Sequence, residues 1–311
     1  MRKVLFMGNS EVSIPSLLKL SKLYEVEVVT GPDKKRGRGK KIRPTPVKQK
    51  ALELGLKVYT PEKVSEGEFL DFIKRNPPDI AVVVAFGEIL KEEFLKIPKY
   101  GVVNLHFSLL PKYRGAEPLR RAILNGDKVT GVTTMYINPL LDQGDILLQR
   151  EIIIDDKDTY GTLSKKLAEE GAGLLIETLQ LMKEGKIRPI PQGDSPSSYA
   201  KKFTKEEMRI PWGRESLYIK NLVRALSPSP GAYTFFRGKR IKIYEVEAIP
   251  YDGGTPGKIV KVEKDRLVVA CGDGAISIKK IQPEGKRIMS IDEFVKGYKP
   301  NISEMFLDGG E

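Results

Sequence analysis

Through the first 185 residues, short apolar runs alternate with longer stretches of helical spacing. Lys3–Met7, Val26–Thr30, Lys57–Tyr59, Ile80–Ala85, Val102–His106 and Gly131–Ile137 are short and rich in β-branched residues, which predicts strands. Between them Ser13–Lys22, Thr45–Leu54, Glu68–Lys74, Lys91–Lys96, Ala116–Leu124 and Tyr160–Glu184 carry apolar residues at intervals of three and four, as helices do. Strands and helices in this rhythm build βαβ units and a largely parallel sheet. In the last helix Leu163, Leu167, Leu174, Leu175, Leu179 and Met182 form a long apolar stripe, which reads as core packing.

The rhythm breaks between Lys186 and Ser198, where Pro189, Pro191, Gly193 and Pro196 interrupt a polar run. Few contacts are expected to cross such a segment, so it is read as a linker. Beyond it the pattern predicts a helix at Arg214–Leu226. Strands follow at Ala232–Phe236, Arg240–Ala248, Gly257–Glu263, Arg266–Ala270 and Ala275–Ile281. Short strands divided by turn residues suit a small barrel of the OB type. The expected fold class is therefore α/β: a Rossmann-like, mostly parallel sheet with helices on both faces, then a smaller C-terminal OB-like β-barrel domain. The expected boundaries are a catalytic domain over residues 1–185, a linker over 186–202 and a second domain over 203–311.

Composition narrows the classes. With 40% apolar and 30% charged residues the chain is globular, and it is long enough for two cores. The apolar start of the chain stops at Gly8-Asn9-Ser10, too soon for a signal peptide, and no run reaches transmembrane length. A cytoplasmic address without a membrane partner is expected. The single cysteine, Cys271, excludes an internal disulfide and a cysteine-based metal site, and reads as a small buried apolar side chain. Asn and Gln are scarce beside Lys, Glu and Arg, a bias of heat-adapted proteins. The net charge is +12, with +6 in residues 1–200 and +6 in residues 201–311. Such an excess in both parts suits an extended polyanion such as nucleic acid, although many basic enzymes never meet one.

The densest charge lies between Lys34 and Arg43, where seven of ten residues are basic, among them Arg36, Arg38, Lys40, Lys41 and Arg43. Gly37 and Gly39 interrupt it, which predicts a mobile loop able to meet phosphates; a merely solvated loop is the alternative. Lys201, Lys202, Lys205, Arg209 and Arg214 could continue that track or simply face solvent. Trp212 reads as domain packing.

Candidate chemistry centres on His106, the only histidine. Alone it reads as well as a packed side chain as a catalyst. Asn104 stands two positions earlier, so on a strand the two side chains share a face. The strand ending at Ile137 runs into the loop that holds Asp142. Were the two strands neighbours, with ligands gathering at their carboxyl ends, Asp142 could reach the imidazole. Asn, His and Asp around one cleft could steady an oxyanion and move a proton without a nucleophile. On spacing alone, a loop-capping aspartate is the favoured reading of Asp142. One histidine rules out a multi-histidine metal site, and no G-x-S-x-G elbow, dinucleotide-binding glycine pattern or Walker loop is present. Group transfer between two substrates remains.

Three runs then resemble one family. They are Asn104-Leu105-His106-Phe107-Ser108-Leu109-Leu110-Pro111, Tyr113-Arg114-Gly115-Ala116 and Leu141-Asp142-Gln143-Gly144-Asp145. Together they are similar to the core signature of the folate-dependent formyltransferases, over nearly the whole chain. The basic loop and the C-terminal runs Thr255-Pro256-Gly257 and Gly272-Asp273-Gly274 look like the tRNA-acting branch. The resemblance implies transfer of a formyl group from 10-formyltetrahydrofolate to the methionine amino group of initiator methionyl-tRNA. It implies catalysis by Asn104, His106 and Asp142, no metal, and a monomer. It assigns Ser108, Leu109, Leu110 and Pro111 to the folate site, with backbone from Phe86, Gly87 and Ile89. It sets the basic loop against the acceptor end of the tRNA, with Arg38 foremost. The chain departs from the family in having Gly8-Asn9-Ser10 for Gly-Thr-Pro, Leu140 for Gly, and Ser227-Pro228-Ser229-Pro230 for an Asn-Pro-Trp-Pro-like run. Rival readings are a formyltransferase or hydrolase that delivers the formyl group to a small-molecule amine or to water, and a non-catalytic tRNA-binding module.

Overall fold

Strand β1 (Lys3–Gly8) opens the chain and is followed by helix α1 (Ile14–Ser21) and strand β2 (Glu25–Val29). The computed structural model describes residues 1–36, 41–193 and 197–309. A hairpin of β3 (Lys34–Arg36) and β4 (Lys41–Arg43) comes next. The chain continues through α2 (Pro46–Glu53), β5 (Lys57–Tyr59), α3 (Gly67–Arg75), β6 (Ile80–Val84), α4 (Glu92–Leu95) and β7 (Val102–His106). Then follow α5 (Pro118–Asn125), β8 (Val129–Tyr136), β9 (Ile146–Ile153) and α6 (Tyr160–Lys183).

Contacts divide the chain into two compact units. The first comprises Met1–Gly115, Val129–Ile153 and Ser164–Ala200; the second comprises Ala116–Lys128, Ile154–Leu163 and Lys201–Glu311. The first is built on one seven-stranded sheet in the order β5-β2-β1-β6-β7-β8-β9. The five strands from β5 to β7 run parallel, and β8 and β9 are antiparallel to their neighbours. Every residue of β6, IAVVV, is buried, as expected of a strand covered on both faces. On one face Leu5, Met7, Ala81, Val83 and Val102 pack with Leu70 and Ile73 of α3 and Phe94 of α4. On the other, Leu105 approaches Gly171 of α6, and the Thr134 and Thr178 hydroxyls share a 2.8 Å hydrogen bond.

Three strands of this unit depart from the sequence expectation. Strand β9 is absent from it, because Gln149-Arg150-Glu151 breaks the apolar run; in the fold Arg150 pairs with Glu170 and Glu177 on α6, at 3.2 and 2.9 Å. The basic segment read as a loop carries a hairpin, with Lys34 opposite Arg43. Its expected mobile centre, including Arg38 and Lys40, lies outside the described residues.

The second unit adds α7 (Ser216–Leu226), β10 (Ala232–Phe236), β11 (Lys239–Ile249), β12 (Ile259–Glu263), β13 (Arg266–Ala270) and β14 (Ala275–Pro283). It ends with β15 (Met289–Ser290), α8 (Ile291–Tyr298) and β16 (Phe306–Leu307). The strands pair antiparallel in the order β12-β13-β14-β11-β10-β16. A register shift bends β11 between Ile243 and Val246. The sheet curls until its ends meet: the Phe306 amide donates to the Gly257 carbonyl at 2.8 Å, and that of Ile259 to the Glu304 carbonyl at 2.8 Å. This is an OB-like barrel. Trp212 packs in its core against Phe306, as expected, and its indole N–H donates to Thr234 at 2.9 Å. Helix α8 was not anticipated, although Ser290 and Glu293 form a capping box at its start. Among the described residues no helix is long and apolar enough to cross a membrane.

Candidate active site

Alternation along β7 puts Asn104 and His106 on the same face as Val102, with Asn104 half-buried and His106 only 6% exposed. The imidazole Nε2 lies 3.0 Å from the carbonyl oxygen of Tyr113. A carbonyl only accepts, so Nε2 carries a proton and the neutral ring leaves Nδ1 bare. Nδ1 is the nitrogen that faces Asp142, 3.8 Å from Oδ2. That separation is beyond a hydrogen bond but well within Coulombic reach, so a proton arriving on Nδ1 meets a carboxylate.

The route that brings Asp142 there differs from the expected one. Strand β8 is indeed the neighbour of β7, but it runs the other way: Tyr136 is opposite Val103, and the Ile137 amide donates to the Val102 carbonyl. The chain therefore leaves β8 beside the first residue of β7. Four residues of strand, roughly 13 Å, separate that point from His106. Residues 138–145 must fold back along the sheet to place the carboxylate beside the imidazole.

Several contacts hold this returning loop. Asp142 has a φ of +51°, and its Oδ2 accepts a 2.7 Å hydrogen bond from the Gly115 N–H. It thus caps backbone, as the plainer reading of the sequence suggested, but in a neighbouring loop and while facing the ring. Gly115 has a φ of +113°, and a Cβ there would stand 3.0 Å from the Ala200 carbonyl oxygen. Gly144 is tighter, because a Cβ would fall 1.8 Å from the carbonyl oxygen of Tyr136. The Asp142 and Gly144 carbonyls both accept from Gln192 Nε2, at 2.9 and 2.8 Å. Gln192 Oε1 accepts from Arg114 Nε and Nη2, at 3.0 and 2.6 Å. Ser198 accepts from Tyr113 and Arg114, and the Arg114 carbonyl from the Ala200 N–H. The segment read as a sparsely contacted linker is therefore bound closely to both loops at the site. Proline and glycine spacing marks irregular backbone, and the side-chain amide that anchors it leaves no periodic signal.

The turn after β7 is tied down as well. Thr133, opposite His106, donates to the Ser108 carbonyl at 2.6 Å, and the Leu110 amide donates to Thr133 Oγ1 at 3.2 Å. Gln149 Nε2 donates to the Leu110 carbonyl at 2.8 Å, and Ser108 Oγ to the Lys112 carbonyl at 2.7 Å. Of the residues expected at the folate site, Ser108 and Leu110 point inward and shape the turn. Leu109 and Pro111 are half-buried, with Leu109 beside Gly131.

Phe86 belongs to the core below the sheet, so only backbone is offered there, and Gly87 (φ +85°) and Ile89 (80% exposed) continue into solvent. Asn9, one of the departures from the family pattern, joins three strand ends. It donates to the Phe86 carbonyl and accepts from Thr30 and from the Gly31 amide, at 2.9 and 2.7 Å. Arg36 and Lys41 stand at the facing ends of the β3–β4 hairpin, and Arg43, exposed, opposes Lys34.

Residues 5–179 match the family model of the formyl transferases, and residues 202–299 that of the formyl transferase C-terminal domain. The methionyl-tRNA formyltransferase of Caldanaerobacter subterraneus subsp. tengcongensis is 48% identical over 305 residues, covering 97% of this chain and 98% of that one. The methionyl-tRNA formyltransferase of Clostridium tetani is 45% identical over 302 residues, covering 96% and 97%. Among solved structures, an N-formyltransferase from Helicobacter canadensis, in complex with folinic acid and dTDP-3-aminofucose, superposes with a TM-score of 0.67 at 23% identity, covering 89% of this chain and 98% of that one. HypX from Aquifex aeolicus, in complex with tetrahydrofolic acid, gives 0.68 at 16% identity and covers 98% of this chain, which spans about half (48%) of HypX. At these identities the two structures speak for the fold alone.

Proposed function

The chain belongs to the formyl transferase family, and from that membership we propose that it carries a formyl group from 10-formyltetrahydrofolate to the α-amino group of the methionine on initiator methionyl-tRNA. Relatives that match nearly its full length are methionyl-tRNA formyltransferases. The observation that carries the chemistry is the meeting of Asp142 with the Nδ1 side of His106, two residues along the same strand face from Asn104.

In this reading the methionyl amine attacks the formyl carbon, and the carbonyl electrons move onto its oxygen. The Asn104 carboxamide donates to that oxyanion; one such donor typically contributes about 3 kcal/mol to the barrier. As the new C–N bond forms, the attacking nitrogen loses a proton. Nδ1 of His106 receives it, because the Tyr113 carbonyl already engages Nε2. Asp142 balances the charge on the ring. The intermediate then collapses, the bond from carbon to N10 of the folate breaks, and the proton passes to N10. No acyl-enzyme is formed. Ser108–Pro111 shape the folate side of the cleft with backbone from Phe86, Gly87 and Ile89. Arg36, Arg38, Lys40, Lys41 and Arg43 meet phosphates near the tRNA acceptor end. The reading sets the enzyme in the cytoplasm, acting as a monomer.

The test is to mix purified protein, 10-formyltetrahydrofolate and charged initiator tRNA and to look for formylmethionine. Formylmethionine that appears with initiator and far less with elongator methionyl-tRNA supports the reading. Formate released without tRNA marks a hydrolase instead, and formylation of a small amine alone marks a different acceptor.

A further inference from the structure

The three residues Tyr113-Arg114-Gly115 each hold a different partner at the site. The carbonyl of the first engages His106, the side chain of the second engages Gln192, and the amide of the third engages Asp142. Gln192 closes this arrangement. Its carboxamide has two N–H donors and one oxygen with two lone pairs, four positions in all. The donors go to the Asp142 and Gly144 carbonyls and the lone pairs to Nε and Nη2 of Arg114, so all four are used. The orientation of the amide is thereby fixed, since a guanidinium only donates and carbonyls only accept. Both residues are 6% exposed. A buried amide used in full is rigid, because releasing any one of its bonds strands a polar group away from water.

We propose that Gln192, oriented by Arg114, is a positioning residue for Asp142: it pins the loop that returns along the sheet so that the carboxylate stays on the Nδ1 side of His106. Asp142 needs such support. It sits in the left-handed region, on a nine-residue excursion from the sheet between Tyr136 and Ile146. Among the described residues its carboxylate has one backbone donor, Gly115, so the path of the loop bears directly on the distance to the ring. A misplacement of about 1 Å at a reacting group can cost roughly 100-fold in rate. The proposal rests on the formyl-transfer reading for its effect on rate, but not for its effect on the ring.

In a folded Gln192→Glu variant, the ring signals of His106 separate positioning from bulk stability. The carboxylate keeps an acceptor for Arg114 but has no N–H to offer the two loop carbonyls. The enzyme has one imidazole, so ¹⁵N-histidine labelling reports His106 alone. Wild type, Gln192→Glu, Gln192→Met and Asp142→Asn are compared by ring signals, melting temperature, kcat and KM. The expected result for Gln192→Glu is a folded protein with a lowered melting temperature, KM values within about threefold, and a kcat reduced about 10- to 100-fold. Its ring signals should move toward those of Asp142→Asn. Gln192→Met should show the same shift of the ring, and Arg114→Lys a smaller one. Ring signals that stay at their wild-type positions in the folded Gln192 variants overturn the proposal, whatever happens to rate. So does a fall in melting temperature and rate together with an unchanged ring, which makes Gln192 an ordinary structural residue. If the wild type formylates nothing while the ring shifts as expected, the positioning stands and the formyl-transfer reading fails.

Discussion

The Tyr113 carbonyl engages Nε2 of the single imidazole, so on the proposed reading Nδ1 is the nitrogen left for proton transfer. The approach of Asp142 to His106, and the strand face that His106 shares with Asn104, were legible in the sequence because these residues sit in dense motifs. Gln192 was not, since a lone amide in a proline-rich stretch carries no spacing signal. The bland reading of Cys271 can be tested on its own. Burial pushes its thiol up to about 12, against a smaller opposing effect of a backbone hydrogen bond at Ile276. An unfolded cysteine ionises near 8.5, so between those values the unfolded chain releases a proton that the folded chain keeps. The contribution to stability is complete below the lower value and shrinks as pH rises. Urea midpoints measured from pH 8 to pH 10.5 should fall more steeply in wild type than in Cys271→Ala. Parallel curves would mean that the thiol is not shielded.

At the scale of elements, the loop from β8 to β9 is the part on which the site depends. Gly144 permits its return, for any Cβ there meets the Tyr136 carbonyl at 1.8 Å. Gly144→Ala should therefore cost about 1–3 kcal/mol of stability, as overpacking does, and lower kcat by moving Asp142. Denaturant unfolding and steady-state kinetics check this, and a variant with wild-type midpoint and rate would show that the loop yields freely. The sequence pattern located β7 and β8 but not their relative direction, because alternation looks the same in parallel and antiparallel strands. Hence the neighbour relation entered only as a condition, which the fold meets, and the route of the loop was not foreseen. Strand β9 escaped through its polar centre, and the β3–β4 hairpin because lysine and arginine are poor markers of strands. Helix α8 is only eight residues long; its capping box and the helical spacing of Ile291, Phe294, Val295 and Tyr298 were the signals that would have found it.

For the molecule as a whole, sequence reasoning treats domains as consecutive stretches, whereas contacts group Ala116–Lys128 and Ile154–Leu163 with the second unit. No pattern of apolar residues reveals such an exchange, since helix α5 looks the same whichever core it joins. The OB-like barrel was legible from its strand spacing, and its closure through Gly257 and Phe306 was not, because it depends on backbone atoms far apart in the chain. Basic charge, by contrast, is visible in composition and is spread over both parts of the chain. Two distant segments bring Asp142 to His106, and on the proposed reading this pair serves the passage of a formyl group to methionyl-tRNA. The most direct measurement is single-turnover formylation of initiator methionyl-tRNA by Asp142→Asn, with both substrates saturating and their Kd values determined separately. The account predicts Kd values within about threefold of wild type and a rate at least about 100-fold lower. A rate close to that of wild type, with the variant folded and both substrates bound, would contradict it.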